Sequence, residues 1–288
     1  MKRKYELVLS VLTAVLATAA ATFGLVAPDI YRDAASVLPQ AMGQDVITLA
    51  FAVPLLVLAT IAMQKGSLRG RLLWLGALGY LVYTYGTYAL WARWNPLFLI
   101  YVALFGLSLY AVALGLVRSD AIAIRAALGR RAPVRVVASY LFVTALLVSA
   151  LWLAEEVQAL LRQQVPPSIV QLDANTNVVH VFDLAVVMPA FVITAVLLRR
   201  GRPWGAVLAA ILLVKAATIG LAVLAMIWFM ARAGFPTDAG YAGFFIALTV
   251  SAAGLAWWFL ASLPRREVWA WQSDVAARAF HSRMAEIQ

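Results

Sequence analysis

The residue with the most chemistry to offer is Lys215. It stands in Leu212-Leu213-Val214-Lys215-Ala216-Ala217-Thr218, a stretch with no other charge. Ionisable groups in hydrocarbon cost free energy and mark substrate or ion pathways. Residue usage sharpens the signal, because the chain has 19 Arg but only four Lys, at 2, 4, 65 and 215. A buried lysine can give up its proton, whereas an arginine effectively cannot. Asp183 is the expected partner. It precedes Arg200 by 17 positions and Lys215 follows it by 15, so an antiparallel hairpin brings both to similar depth. His180 lies three residues before Asp183 and shares its helix face. Glu155 and Glu156 end the preceding apolar run on the same side. The expected site is a polar cluster, with Lys215 deepest and Asp183, His180 and one glutamate toward the outer face. The bland alternative is a Lys–Asp pair that only holds two helices in register.

Tyr80 is the sixth candidate. The third apolar run carries Tyr80, Tyr83, Tyr85 and Tyr88 with Thr84, Thr87 and Trp91. Four tyrosines in nine residues cannot share one helix face. Tyr85, Tyr88 and Trp91 fit an interfacial aromatic belt. Tyr80, Thr84 and Thr87 lie deeper, where they can hydrogen-bond across a bundle or line a cavity.

Composition dictates the scaffold that must position these groups. Of 288 residues, 64% are hydrophobic and 12% charged, against about 25% charged in soluble domains. A soluble globule could not cover its surface with so few polar groups. The absence of cysteine excludes a disulfide framework, thiol nucleophiles, Fe–S ligation and Cys-held zinc. Only two histidines, His180 and His281, exclude a bundle of several bis-histidine haems. The apolar runs are continuous rather than alternating, which argues against a β-barrel. The expected fold is an all-α polytopic transmembrane bundle of about eight spans. They are 5–25, 45–63, 72–91, 97–117, 136–155, 179–198, 204–230 and 243–263.

Charge distribution orients the spans. Segments 1–4, 64–71, 118–135, 199–203 and 264–288 hold 18 of the 23 Lys and Arg. The intervening segments hold Arg32, Arg93, Arg162 and Arg232, and most acids lie on their side. By the positive-inside rule both termini face the cytoplasm. The net charge of +10 therefore reads as topology and not as nucleic-acid binding. The expected location is the bacterial inner (cytoplasmic) membrane. Lys2-Arg3-Lys4 before an apolar run ending in Ala17–Ala21 resembles a signal peptide. That run is longer than a usual signal core, so a retained helix is expected.

The chain also reads as a transmembrane bundle over 1–263 with a cytoplasmic interfacial tail over 264–288. Each half has a helix with a central proline, Pro54 or Pro189. A short basic turn follows, then a helix starting near Trp74 or Trp204. These features suggest parallel repeats, 1–117 and 136–263, or two similar hairpins without common descent. Gly66, Gly70, Gly201 and Gly205 read as turn chemistry. Residues 29–33 and 160–162 suggest short interfacial helices, the second broken by Pro166-Pro167.

The hairpin His180–Lys215, with Asp183, Pro189 and Arg199-Arg200-Gly201-Arg202-Pro203-Trp204-Gly205, resembles multipass membrane proteins of bacteria; no activity comes with the resemblance. A lysine in a seventh span also resembles the microbial rhodopsins, where it carries retinal. That likeness stops at Lys215, and no cofactor is expected. HExxH, GxSxG and GxxxxGK[ST] motifs do not occur. Three functions remain. The first is a transporter- or channel-like protein using Lys215 and Asp183, with a small-molecule or ion ligand. The second is a non-catalytic membrane partner or sensor, with a protein partner or a second copy of itself. The third is an enzyme acting on a lipid or isoprenoid, with Glu155, Glu156 and His180.

Overall fold

A computed structural model describes residues 4–264, and those residues form helices and connecting turns without strands. Eight helices are long: α1 Lys4–Val26, α2 Val37–Gln64, α3 Leu68–Trp91, α4 Phe98–Val117, α6 Val134–Arg162, α8 Val178–Arg199, α9 Pro203–Arg232 and α10 Ala239–Ala261. Two are short, α5 Ala121–Ala127 and α7 Pro167–Leu172. All of the long helices except α3 are both long and apolar enough to cross a membrane. At 24 residues α3 is about 36 Å long, but it is richer in Gly, Tyr and Arg. Other helices rather than lipid surround it, and its residues from Gly70 to Tyr88 are largely buried.

The boundaries follow local chemistry. Ser67 starts α3 by accepting the Gly70 N–H at 3.1 Å. Asp238 starts α10 by accepting the Tyr241 N–H at 2.6 Å. Asn177 starts α8 by accepting the N–H groups of Val179 and His180. Each satisfies donors that a helix N-terminus leaves open. Gly66 and Gly201 take positive φ, 87° and 66°, and close α2 and α8 without a Cβ penalty.

Several boundaries differ from expectation. The second span begins at Val37 rather than near 45, because 37–47 packs its polar side on other helices. Residues 160–162 form the last turn of α6, which runs past 155 to Arg162, rather than a separate interfacial helix. The chain breaks before Pro166 as expected, and Pro167 occupies the first turn of α7, where no N–H is needed. The connection 118–135 contains α5, capped by Asp120 at 2.9 Å. The 29–33 segment has only a single turn, Pro28–Ile30. The expected tail helix over 264–288 lies outside the described residues.

Basic segments gather at one end of the bundle. Arg69 donates to the carbonyls of Ala261 (2.9 Å) and Leu263 at the end of α10. Buried Glu6 accepts from Arg71 at 3.2 Å and sits 3.9 Å from Arg118, which ties α1 to α3 and α4. At the far end, Asp33 accepts the Arg93 N–H and Arg93 pairs with Asp173 at 2.5 Å. Asp33 is half-buried, and burial raises its carboxyl above the ordinary range against the opposing pull of Arg93.

Helix α9 is the axis of the fold. Its small residues, among them Gly205, Ala206, Ala209, Ala210, Ala217 and Gly220, are buried. Membrane helices associate through such close approach rather than through hydrophobic burial. The neighbours answer in kind. Gly76 of α3 faces Val214, and Gly43 of α2 lies against the backbone at Ala225 and Met226.

Helices α2 and α8 share a device. Each widens into a five-residue π turn, Thr48–Ala52 or Asp183–Val187, two residues before its proline. The wide turn accommodates the proline ring and its missing N–H inside a span. The correspondence holds in register. Pro54 and Pro189, Gly66 and Gly201, and Gly70 and Gly205 are each 135 positions apart. Gly70 packs on Met63 and Gly205 on Leu198, again 135 apart.

A side chain at Gly43 would meet the Met226 backbone within 2.7 Å. Gly43→Val should lower stability in detergent by about 1–3 kcal/mol through overpacking, seen as a lower Tm. Gly106→Val, which faces open space, should leave Tm unchanged.

Candidate functional site

Helices α2, α3, α6, α8, α9 and α10 enclose a cavity of about 280 Å³. Its walls are uneven. Gln40, Gln44, Thr84 and Thr87 of α2 and α3 supply hydroxyl and amide groups. Opposite them, α9 presents Ala216, Ile219, Val223 and Met226, and α10 presents Phe245 and Leu248. Most of the surface is apolar with a few convergent polar groups, the usual character of a small-molecule site.

Two of the expected residues, Lys215 and Asp183, line this cavity. Lys215 is 6% exposed, and its Nζ lies 3.9 Å from the centroid of the Tyr83 ring. A cation over an aromatic face is attracted to the ring quadrupole, yet that contact supplies no hydrogen-bond acceptor. Among the described residues no carboxylate comes within 4.0 Å of Nζ. The expected direct Lys215–Asp183 contact is therefore replaced by proximity across the cavity, close enough for electrostatic interaction. Tyr83 occupies the place of the carboxylate because α3 inserts beside α9 at that depth; Gly79 lets it approach the Lys215 side chain.

Asp183 is held by another group. Its Oδ2 accepts the Trp152 indole N–H at 3.0 Å. The same indole stacks on His180, with ring centroids 4.5 Å apart and 28° between planes. His180 Nδ1 lies 2.7 Å from Glu156 Oε1. Asp183, His180 and Glu156 are thus assembled around one tryptophan of α6. Of this trio only Asp183 lines the cavity.

Glu155 does not join the cluster. It accepts the Ser168 N–H at 2.8 Å and so caps the first turn of α7. Tyr80 stands behind the cavity wall. Its hydroxyl accepts from Gln44 at 2.9 Å and lies 3.0 Å from Thr48; Gln44 also donates to Thr84 at 2.6 Å. Tyr80 and Thr84 therefore hydrogen-bond across the bundle as expected. Tyr85 and Tyr88 do not form an interfacial belt. They are buried with Tyr101 in an aromatic cluster, Tyr88 and Tyr101 being 5.1 Å apart. They lie there because α4 covers their face of α3.

The sequence reading missed Trp152, Tyr83, Tyr241 and Gln44 as cavity residues, and Asp45 as a buried group. Asp45 is 1% exposed and accepts from Tyr31 Oη at 2.5 Å. One signal could have exposed it. Asp45 precedes Pro54 by nine residues, as His180 precedes Pro189. At the same spacing Thr48 matches Asp183 and Tyr80 matches Lys215. At two of the three matched positions one hairpin thus carries the mutually bonded Thr48 and Tyr80 where the other carries Asp183 and Lys215; at the third, Asp45 and His180, both hold an ionisable group.

Among the described residues, no three His, Asp or Glu side chains converge on a point where a metal ion could sit. No protein-family description, curated protein or solved structure matches the chain. The site must be read from its own geometry.

If Glu155 acts only as a cap, its energetic partner is the Ser168 N–H. Glu155→Ala should cost about 1 kcal/mol of stability. The same change made in a Ser168→Pro background should cost almost nothing, measured as a double-mutant cycle of melting temperatures.

Proposed function

We propose that this chain is a membrane transport protein for a small amphipathic anion, with Lys215 as the anchor for its charge. The observation that carries the reading is the bare ammonium. Lys215 lies inside the bundle and lines the cavity without an acid in ion-pair range among the described residues. Removing such a group from water costs several kcal/mol unless a partner repays it. An anion entering the cavity is that partner. The aromatic and aliphatic walls match an apolar body attached to the charged group.

Asp183 gives the site a second state. With the cavity empty, its carboxylate balances Lys215 at a distance while holding the Trp152 N–H. A bound anion competes for the same amine. A proton taken up by Asp183 as the anion binds keeps the local charge constant, which couples the two movements. His180 and Glu156, set on the far side of Trp152, lie toward the less basic end.

The basic end, with both termini, faces the cytoplasm in this reading, and the membrane is a bacterial inner membrane. The matched hairpins are read as parts of two parallel repeats, 1–117 and 136–263. The repeat containing Lys215 keeps a working site. The other fills the equivalent place with Gln44, Thr48 and Tyr80.

The test is uptake of organic anions by proteoliposomes, with thermal stabilisation as the binding readout. A panel of short aryl and alkyl carboxylates should include members that raise Tm. Lys215→Met should abolish both stabilisation and uptake, while Asp183→Asn should keep binding and remove its dependence on a pH gradient. Uptake unchanged by Lys215→Met would refute the anchor.

A further inference from the structure

The cavity is long, and its shape says more than its charge. Lys215, Ile219, Val223, Met226 and Met230 all face it from α9. From the first to the last is 15 residues, about 22 Å along a helix. Lys215 therefore stands at one end of the row on α9 and the rest of that row is aliphatic, while Gln40, Thr87 and Asn177 line the same length from α2, α3 and the start of α8. Spread over such a length, about 280 Å³ makes a narrow slot rather than a rounded chamber. A compact anion would fill the head of this slot and leave its apolar length empty. Apolar surface facing a void loses its dispersion contacts.

One side of the slot is a seam. Helix α6 lines it with Thr144, Val148 and Trp152, and α10 with Tyr241, Phe245 and Leu248. Tyr140 Oη donates across it to the Leu248 carbonyl, 2.9 Å away. Beyond that bond, toward the less basic end, Thr144, Val148 and Trp152 face Tyr241 and Phe245 across the seam, with Glu155 close enough to Tyr241 to act on it electrostatically. The outward faces of the same helices carry Leu147, Leu151, Ile246 and Val250, all exposed. In a bilayer those residues meet acyl chains, so parting α6 from α10 opens the slot to lipid and not to water. Few backbone polar groups would be stranded by that movement, since helices satisfy their own.

We infer that the ligand is a single-chain amphiphile taken from the bilayer. Its anionic head sits at Lys215, its hydrocarbon chain lies along α9 toward Met230, and it enters sideways between α6 and α10. Long-chain carboxylates and long-chain phosphate monoesters share the required chemistry. This inference rests on Lys215 binding an anion, and its test separates the two ideas.

The experiment uses the full chain in nanodiscs, with fatty acids carrying a diazirine at the chain end. After photolysis, the labelled residues are located by mass spectrometry. The expected label falls on Met226, Met230 and their neighbours on α9. Lys215→Met should reduce it at least about tenfold. Excess unlabelled long-chain carboxylate or phosphate monoester should compete, the stronger of the two naming the head group. A long-chain alcohol should not compete. Because the native chain has no cysteine, Val148→Cys with Phe245→Cys can be bridged by a bifunctional maleimide. Bridging should block the labelling that the same double variant shows before the maleimide is added. Stabilisation by short carboxylates in a Lys215-dependent way, with no chain-end label on α9, would overturn the chain and its route but keep the anion anchor. Failure of both long and short anions to bind would overturn both. Labelling that survives the bridge would overturn the lateral route, and labelling indifferent to Lys215→Met would overturn the head position.

Discussion

A lysine amine inside a low-dielectric bundle, without a carboxylate in ion-pair range among the described residues, is the constraint around which this structure is arranged. Lys215 gains attraction from the Tyr83 face and from Asp183 at longer range. Neither supplies the acceptors that an ammonium with three donors requires. The cost has to be met by the rest of the fold. It is met by α9, whose small residues draw α2, α3 and α10 close along much of its length. Space remains on the face that carries Lys215, and there α6 and α10 stand apart. The cavity is thus the place where close packing around α9 stops.

The matched hairpins show how one backbone arrangement supports two chemistries. Both have a π turn, a proline two residues later and a positive-φ glycine at the basic end. In α2 and α3 the corresponding side chains are Thr48 and Tyr80, joined through Gln44 into a satisfied network. Polar groups that satisfy each other need no visitor. In α8 and α9 the positions hold Asp183 and Lys215, which stay apart, with the Tyr83 ring against Lys215 and both residues lining the cavity. The two arrangements use the same helix geometry, so the difference lies in side-chain size and charge.

Much of this was legible from the chain. The depth of Lys215, the nearness of Asp183 and the shared face of His180 all follow from helix rise and a five-residue turn. Tyr80 and Thr84 were read as cross-bundle hydrogen-bonding residues, and they are. The direct Lys215–Asp183 contact was not met, because depth along two helices does not fix their rotation or what a third helix inserts. Tyr83 comes from α3, far away in sequence, and no spacing rule within α8 and α9 could announce it. The belt reading of Tyr85 and Tyr88 failed for a related reason. An aromatic residue near a span end looks the same in sequence whether lipid or α4 covers it. Glu155 and Glu156 are adjacent, yet they point to different tasks, since neighbouring positions on a helix face about 100° apart.

Composition and apolar run length alone determined that this chain is a bundle of membrane-length helices. Hydrocarbon tolerates only segments that satisfy their own backbone, and a span must match the membrane thickness. The same one-dimensional information set the number and order of long helices, because each run is read locally. Tertiary structure alone decided that Lys215 faces a cavity, that Trp152 rather than a cation holds Asp183, and that Glu155 serves a neighbouring helix. Those outcomes depend on how separate helices rotate and close on one another. That is governed by contacts between residues distant in the chain, where a single glycine such as Gly76 or Gly43 sets the spacing.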